Sequence, residues 1–132
     1  MSFIELTGLN EVKEPELAPE GEYDLRIGFA DDYIKEGTKK MIVRCSIAIE
    51  GHPEYAAFNH WTVVYDPEDD DDQRKMRALR TARFLTLFNV PFENGFEVED
   101  LFGATAVNVF VTQSEEDDQG NTYNELRVPR MK

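Results

Sequence analysis

From Gly21 the chain alternates: Tyr23, Leu25, Ile27 and Phe29 are separated by Asp24, Arg26 and Gly28. Successive side chains of an extended strand point to opposite faces, so this period of two predicts a half-buried first strand with its large apolar residues turned inward. A polar turn at Lys35-Glu36-Gly37-Thr38 follows, and then Met41, Val43, Cys45, Ile47 and Ile49 alternate with Ile42, Arg44, Ser46 and Ala48. The same rule makes this a second strand and sends Arg44 away from the core. Gly51-His52-Pro53-Glu54 marks another turn, and residues 57–65, aromatic and β-branched, predict a third strand that completes a meander. That strand carries two rival sets, Trp61 with Tyr65 and Phe58 with His60 and Val64, and the pattern leaves open which of them faces in.

Residues 73–88 contain no Gly or Pro, and Ala78, Ala82, Leu85 and Phe88 recur at helical spacing, which predicts a helix that buries those four. Arg77, Arg80 and Arg83 recur every three residues on the opposite side. Pro91 and Asn94-Gly95 end the helix, and Val98 to Phe102 form a short turn. Thr105, Val107, Val109 and Val111 alternate with Ala106, Asn108 and Phe110 as a fourth strand; a turn through Gly120-Asn121 leads to a fifth with Leu126 and Val128. Three strands, one helix and two strands is the order of a mainly-β, five-stranded OB-fold-like Greek-key barrel with its α-helix between strands 3 and 4. A small α+β sandwich shares the same string. Residues 1–20, with Glu11, Glu14, Glu16, Glu20 and prolines at 15 and 19, read as an acidic arm ahead of a single domain over 21–132.

Charge changes the picture of what such a domain can bind. Among 132 residues there are 14 Lys plus Arg against 27 Asp plus Glu, a net −13. Most of the surface therefore repels nucleic acid and anionic membrane, and a polyanion needs a local basic patch. The single cysteine, Cys45, excludes an intramolecular disulfide and a cysteine-rich zinc site and fits a reducing compartment. No apolar run approaches the roughly 20 residues of a membrane span, and the first residues lack a secretion signal. A soluble, cytoplasmic protein without membrane contact is the expectation.

Candidate chemistry is sparse. His52 and His60 stand eight residues apart without metal-ligand spacing, Cys45 falls in the buried register, and the glycines lack a phosphate-loop or dinucleotide fingerprint. Neither an enzyme, a cofactor nor a metal is expected. The run Asp66-Pro67-Glu68-Asp69-Asp70-Asp71-Asp72 lacks the ligand spacing of a calcium loop; it suits a helix entrance, with Asp70–Arg74 and Asp71–Lys75 as i, i+4 pairs. Its carboxylates are expected to hold Arg74, Lys75 and Arg77 and fence phosphate from that end of the barrel. Glu115 to Asp118 read as a solvated hairpin tip. The arginine ridge of the helix is either a phosphate track or a solvated face. Arg26, Lys39, Lys40, Arg44, Trp61, Tyr65, Tyr123 and Arg127 form the second group, combining cations for a phosphate path with flat rings for unstacked bases, the two requirements of single-strand binding. Alternation takes Arg26, Arg44, Tyr123 and Arg127 out of the core together.

The opening Pro19-Glu20-Gly21-Glu22-Tyr23, the uninterrupted helix after the third strand and Leu101-Phe102-Gly103 before the fourth resemble a family of bacteriophage proteins encoded near replication genes. Its members are regarded as OB-fold single-stranded-DNA-binding proteins. The resemblance implies that fold and role over about residues 20–128, in the host cytoplasm, with single-stranded DNA and phage replication or recombination proteins as partners. A homo-oligomer is compatible with it. Many such proteins end in an acidic tail, whereas this chain ends Arg127-Val128-Pro129-Arg130-Met131-Lys132. The alternative from another class is an acidic interaction or inhibitor module that engages a basic partner or mimics nucleic acid.

Overall fold

The computed structural model describes residues 2–8 and 14–130; Glu11 of the acidic arm and the terminal Met131 and Lys132 lie outside the described residues. The predicted strands form as β1 (Gly21–Ile34), β2 (Met41–Ile49), β3 (Phe58–Tyr65), β4 (Thr105–Gln113) and a short β5 (Asn124–Leu126). Helix α1 (Asp71–Leu87) joins β3 to β4, and a 3-10 turn at Val98–Leu101 precedes β4. The strands lie in the order β3-β2-β1-β4-β5, every pair antiparallel. The two edge strands therefore run in the same sense, and they approach each other. The result is a nearly closed, OB-fold-like barrel, which sets aside the sandwich. No helix among the described residues is long and apolar enough to cross a membrane.

Closure rests on bulges, which break the simple alternation. In β1 the register against β2 shifts between Ile27 and Phe29, leaving Gly28 as the extra residue. Ile27 points into the core, but Phe29, expected inside, is 51% exposed, and Ala30 takes the buried place. In β4 the pairing jumps from Tyr23↔Val109 to Leu25↔Ala106. Asn108 sits in this bulge at a left-handed φ of 54°, a conformation that asparagine tolerates. The Asp24 carboxylate accepts its N–H at 3.0 Å. Val109 and Val111 consequently face in while Val107 faces out. A third shift, where Met41 pairs with Tyr65 and Ile42 with Val63, leaves Met41 exposed instead of buried. Each bulge bends its strand and adds right-handed twist, which lets so small a sheet curl on itself.

Inside, Leu25, Ile27, Val43, Cys45, Ile47, Val109 and Val111 pack with Phe84, Leu85, Phe88 and Leu101. Asp70 caps α1: its side chain accepts the Gln73 N–H at 2.8 Å, and Gln73 accepts the Asp70 N–H at 2.9 Å. The helix is rotated from the expected setting. Ala78 is exposed, and Arg77, Thr81, Phe84 and Phe88 share the inner side, spaced four, three and four apart. Arginine takes the place of an apolar residue here because carboxylates neutralise it, as described below.

The end of the arm belongs to the barrel. Glu16 N–H donates to the Glu54 carbonyl at 2.8 Å, and Ala56 N–H donates back to the Glu16 carbonyl at 2.8 Å. Two residues on, Ala18 is fully buried. The Asn124 side chain treats it as a strand neighbour would, accepting the Ala18 N–H at 2.9 Å and donating to its carbonyl at 2.9 Å. Gln113 Nε2 donates to the same carbonyl at 2.9 Å. The arm and one buried amide thus join the two edges that have no ladder between them.

Because Gln113 still serves the Ala18 carbonyl in its absence, Asn124→Ala strands chiefly the Ala18 N–H. Urea unfolding is expected to show a loss of about 1–3 kcal/mol, the cost of an unsatisfied buried donor. A loss within about 0.5 kcal/mol, the range of an ordinary surface change, would mean that the seam does not share in global stability.

Candidate nucleic-acid interface

The outer face of β1, β2 and β3 is assembled by register. One row across the strands is Asp31–Arg44–Trp61; the rows on either side are Phe29–Ser46–Asn59 and Tyr33–Ile42–Val63. The rival sets of β3 are now resolved. Phe58 and Val64 pack on the core and His60 stacks on Phe84, with ring centroids 4.8 Å apart, so Trp61 and Tyr65 face solvent. Trp61 is 55% exposed. Phe29 and Tyr33 join them on this side, and Phe102 extends the strip by stacking on Phe29 at 6.0 Å. Strict alternation hides Phe29 and the rings beside it. The available signal is Gly28, since a glycine inside a strand pattern often marks a bulge.

The basic residues are dispersed and mostly committed. Arg44 forks onto Asp31, its Nε 3.1 Å from Oδ1 and its Nη2 2.7 Å from Oδ2. Arg26, between Ala48 of β2 and Thr105 of β4, pairs with Glu50. Lys40 reaches Asp66 at 3.8 Å, and Lys39 sits in the β1–β2 turn with φ 62°. The Arg127 guanidinium lies 5.3 Å above the Phe110 ring, on the β4 side. Arg44, Trp61 and Tyr65 therefore share one face, Lys39 and Lys40 flank its end, and Arg26 and Arg127 stand apart. All four residues expected to leave the core together, Arg26, Arg44, Tyr123 and Arg127, do leave it.

Tyr123 and Trp61 stand on the two sides of the seam. Both line a groove of about 1030 Å³ between β3 and β5, floored in part by Pro15 and Leu17. The acidic hairpin tip has a structural part in this. Asp117 accepts the N–H groups of Gln119 and Asn121, each at 2.9 Å, and the Tyr123 hydroxyl at 3.4 Å. Those backbone hydrogen bonds, that from Asn121 first, hold its carboxyl below the usual range.

The loop before α1 divides its labour. Asp69 grips Arg77 through Nε at 2.6 Å and Nη2 at 3.1 Å, and Asp66 lies 3.8 Å from the same guanidinium. The Arg77 hydrogen bond lowers the Asp69 pKa, and Asp69 raises that of Arg77. Asp70 caps, and Asp71 and Asp72 lie in the first turn, where the helix dipole favours negative charge. Of the three cations expected to be held, only Arg77 is; the Asp70–Arg74 and Asp71–Lys75 pairs do not form among the described residues. Both acidic partners are occupied, one with a cap and one with the dipole, and solvent-exposed pairs gain little.

Cys45 is buried and its thiol is pushed up to about 12 by burial and by the Asp31 carboxylate, so it behaves as a small apolar group. His52 stacks on Tyr55 and meets Glu54 at 3.0 Å, away from His60, with which it shares no partner. A scan of protein-family models finds no match to this chain, and a search of curated proteins finds none.

Burial depresses the His60 pKa to about 4 from an ordinary 6.5. Between those values the unfolded chain binds the proton and the folded one does not, so stability rises with pH. It is complete above about 6.5 and declines as pH falls toward 4, by at most about 3 kcal/mol. His60→Phe keeps a ring against Phe84 and is expected to flatten this window in denaturant melts run at several pH values; an unchanged slope would place the titration elsewhere.

Proposed function

We propose that the protein binds single-stranded DNA without catalysing a reaction on it and, following the resemblance of its turn and helix residues, acts in phage replication or recombination. One observation carries this reading: exposed aromatic rings gathered on one side of the barrel around Trp61. Water-exposed rings on a strand face offer stacking platforms that every base can use, each worth roughly 1–3 kcal/mol. With a net charge of −13 and with Arg26, Arg44 and Arg77 already paired, long-range attraction to phosphate is weak. Stacking must then carry the affinity. Duplex DNA, whose base faces are closed, gains nothing from it. The same ion pairs favour the alternative of an acidic module for a basic partner, but they give the exposed rings no role.

Titration of a fluorescein-labelled oligo(dT) is expected to show binding that exceeds that of the matching duplex and quenches Trp61, the only tryptophan. Trp61→Ala should weaken it by roughly 1–3 kcal/mol. Because the ring is exposed, unfolding free energy should change by no more than about 0.5 kcal/mol. Equal affinity for single and double strands, or a Trp61→Ala variant that binds unchanged, would refute the platform. A protein that ignores oligonucleotides but binds a basic polypeptide would establish the alternative.

A further inference from the structure

A second groove, of about 360 Å³, runs between α1 and β3, with Arg77, Arg80 and Arg83 on one wall and Trp61 and Thr62 on the other. No carboxylate lines it. Arg77 is committed to Asp69 and Asp66, but Arg80 and Arg83 form no ion pair among the described residues. Two polar atoms are buried here without a hydrogen-bond partner, Arg83 Nε and Thr62 Oγ1. Buried donors are nearly always satisfied, and a guanidinium N–H taken from water without an acceptor is costly. Donors and positive charge thus converge at a groove that no carboxylate lines. That is the complement of a phosphate oxyanion, which guanidinium groups bind through parallel N–H bonds.

We propose that this groove is a phosphate site and that its occupant is a phosphodiester of a single strand whose neighbouring base rests on Trp61. Trp61 lines both this groove and the seam groove, which sets charge and platform at neighbouring stretches of β3. The phosphate site stands on the groove alone; its assignment to a DNA strand rests on the single-strand reading. The sheet face supplies rings and the helix supplies unpaired cations. This assigns the arginine ridge a role on the inner flank of α1.

Two arms test it on the full chain. In the first, the Arg83 Nε–H resonance is followed during titration with inorganic phosphate, against chloride at equal ionic strength. A saturable shift with phosphate alone is expected, and its absence overturns the phosphate site. In the second, oligo(dT) affinity is measured across salt for the parent and for Arg80→Gln/Arg83→Gln. The log–log salt slope should flatten by about 0.7, the value for one phosphate contact on a single strand, with affinity at low salt down by about tenfold. Should the double variant fail to fold, Arg80→Gln, at an exposed position, should flatten it in the same direction, by no more than about 0.7. An unchanged slope and affinity overturn the strand as occupant while leaving single-strand binding intact. A parent protein that binds no oligonucleotide refutes the single-strand reading itself, and the phosphate arm then decides the site alone.

Discussion

A sheet of only five strands closes into a barrel only if its strands coil sharply, and this requirement governs the rest of the structure. β1 must serve β4 with its first half and β2 with nearly all of the remainder, so it cannot stay straight. The bulge at Gly28 gives the bend, and the bulge at Asn108 lets β4 follow it. Each inserted residue also reverses which side chains face water beyond it. Phe29 reaches the surface through one of these reversals, and the outer aromatic strip follows from the geometry of closure.

The order of elements was legible because apolar periodicity is dictated locally: the strand and helix patterns need only the residues that carry them. The orientation of individual side chains was less so. Phe29, Met41 and Val107 depart from alternation where a bulge intervenes, and a bulge is chosen by the partner strand as much as by the sequence that bears it. The helix was mis-set for an electrostatic reason. Ala78 looks inward by hydropathy and Arg77 outward, yet two aspartates from the preceding loop make Arg77 the better-buried neighbour of β3. Of the candidate site, Arg44, Trp61 and Tyr65 share a face, and Tyr123 lines the same groove as Trp61. That Arg26 and Arg44 are tied to carboxylates depends on residues 24 and 13 positions away, which no local pattern reveals.

The charge distribution is similarly a matter of pairing more than of totals. The acidic excess is spent on structure as well as solubility: Asp24 secures a bulge, Asp70 a helix end, Asp117 a turn and Asp69 an arginine. Cations near those carboxylates lose much of their reach. Arg80 and Arg83 of α1 form no such pair among the described residues, and their influence is local because surrounding negative charge and salt screen it within about 8–10 Å.

The side chain of Asn124 imitates a peptide unit, offering Ala18 one donor and one acceptor in the spacing of a backbone. A true ladder between β3 and β5 would lock the width of the seam to the inter-strand distance of about 4.8 Å. A side-chain clasp with an arm behind it sets no such spacing. The two lips, one bearing Trp61 and the other Tyr123, are therefore free of a common hydrogen-bond register, and the distance between the rings is a soft coordinate of an otherwise stiff barrel.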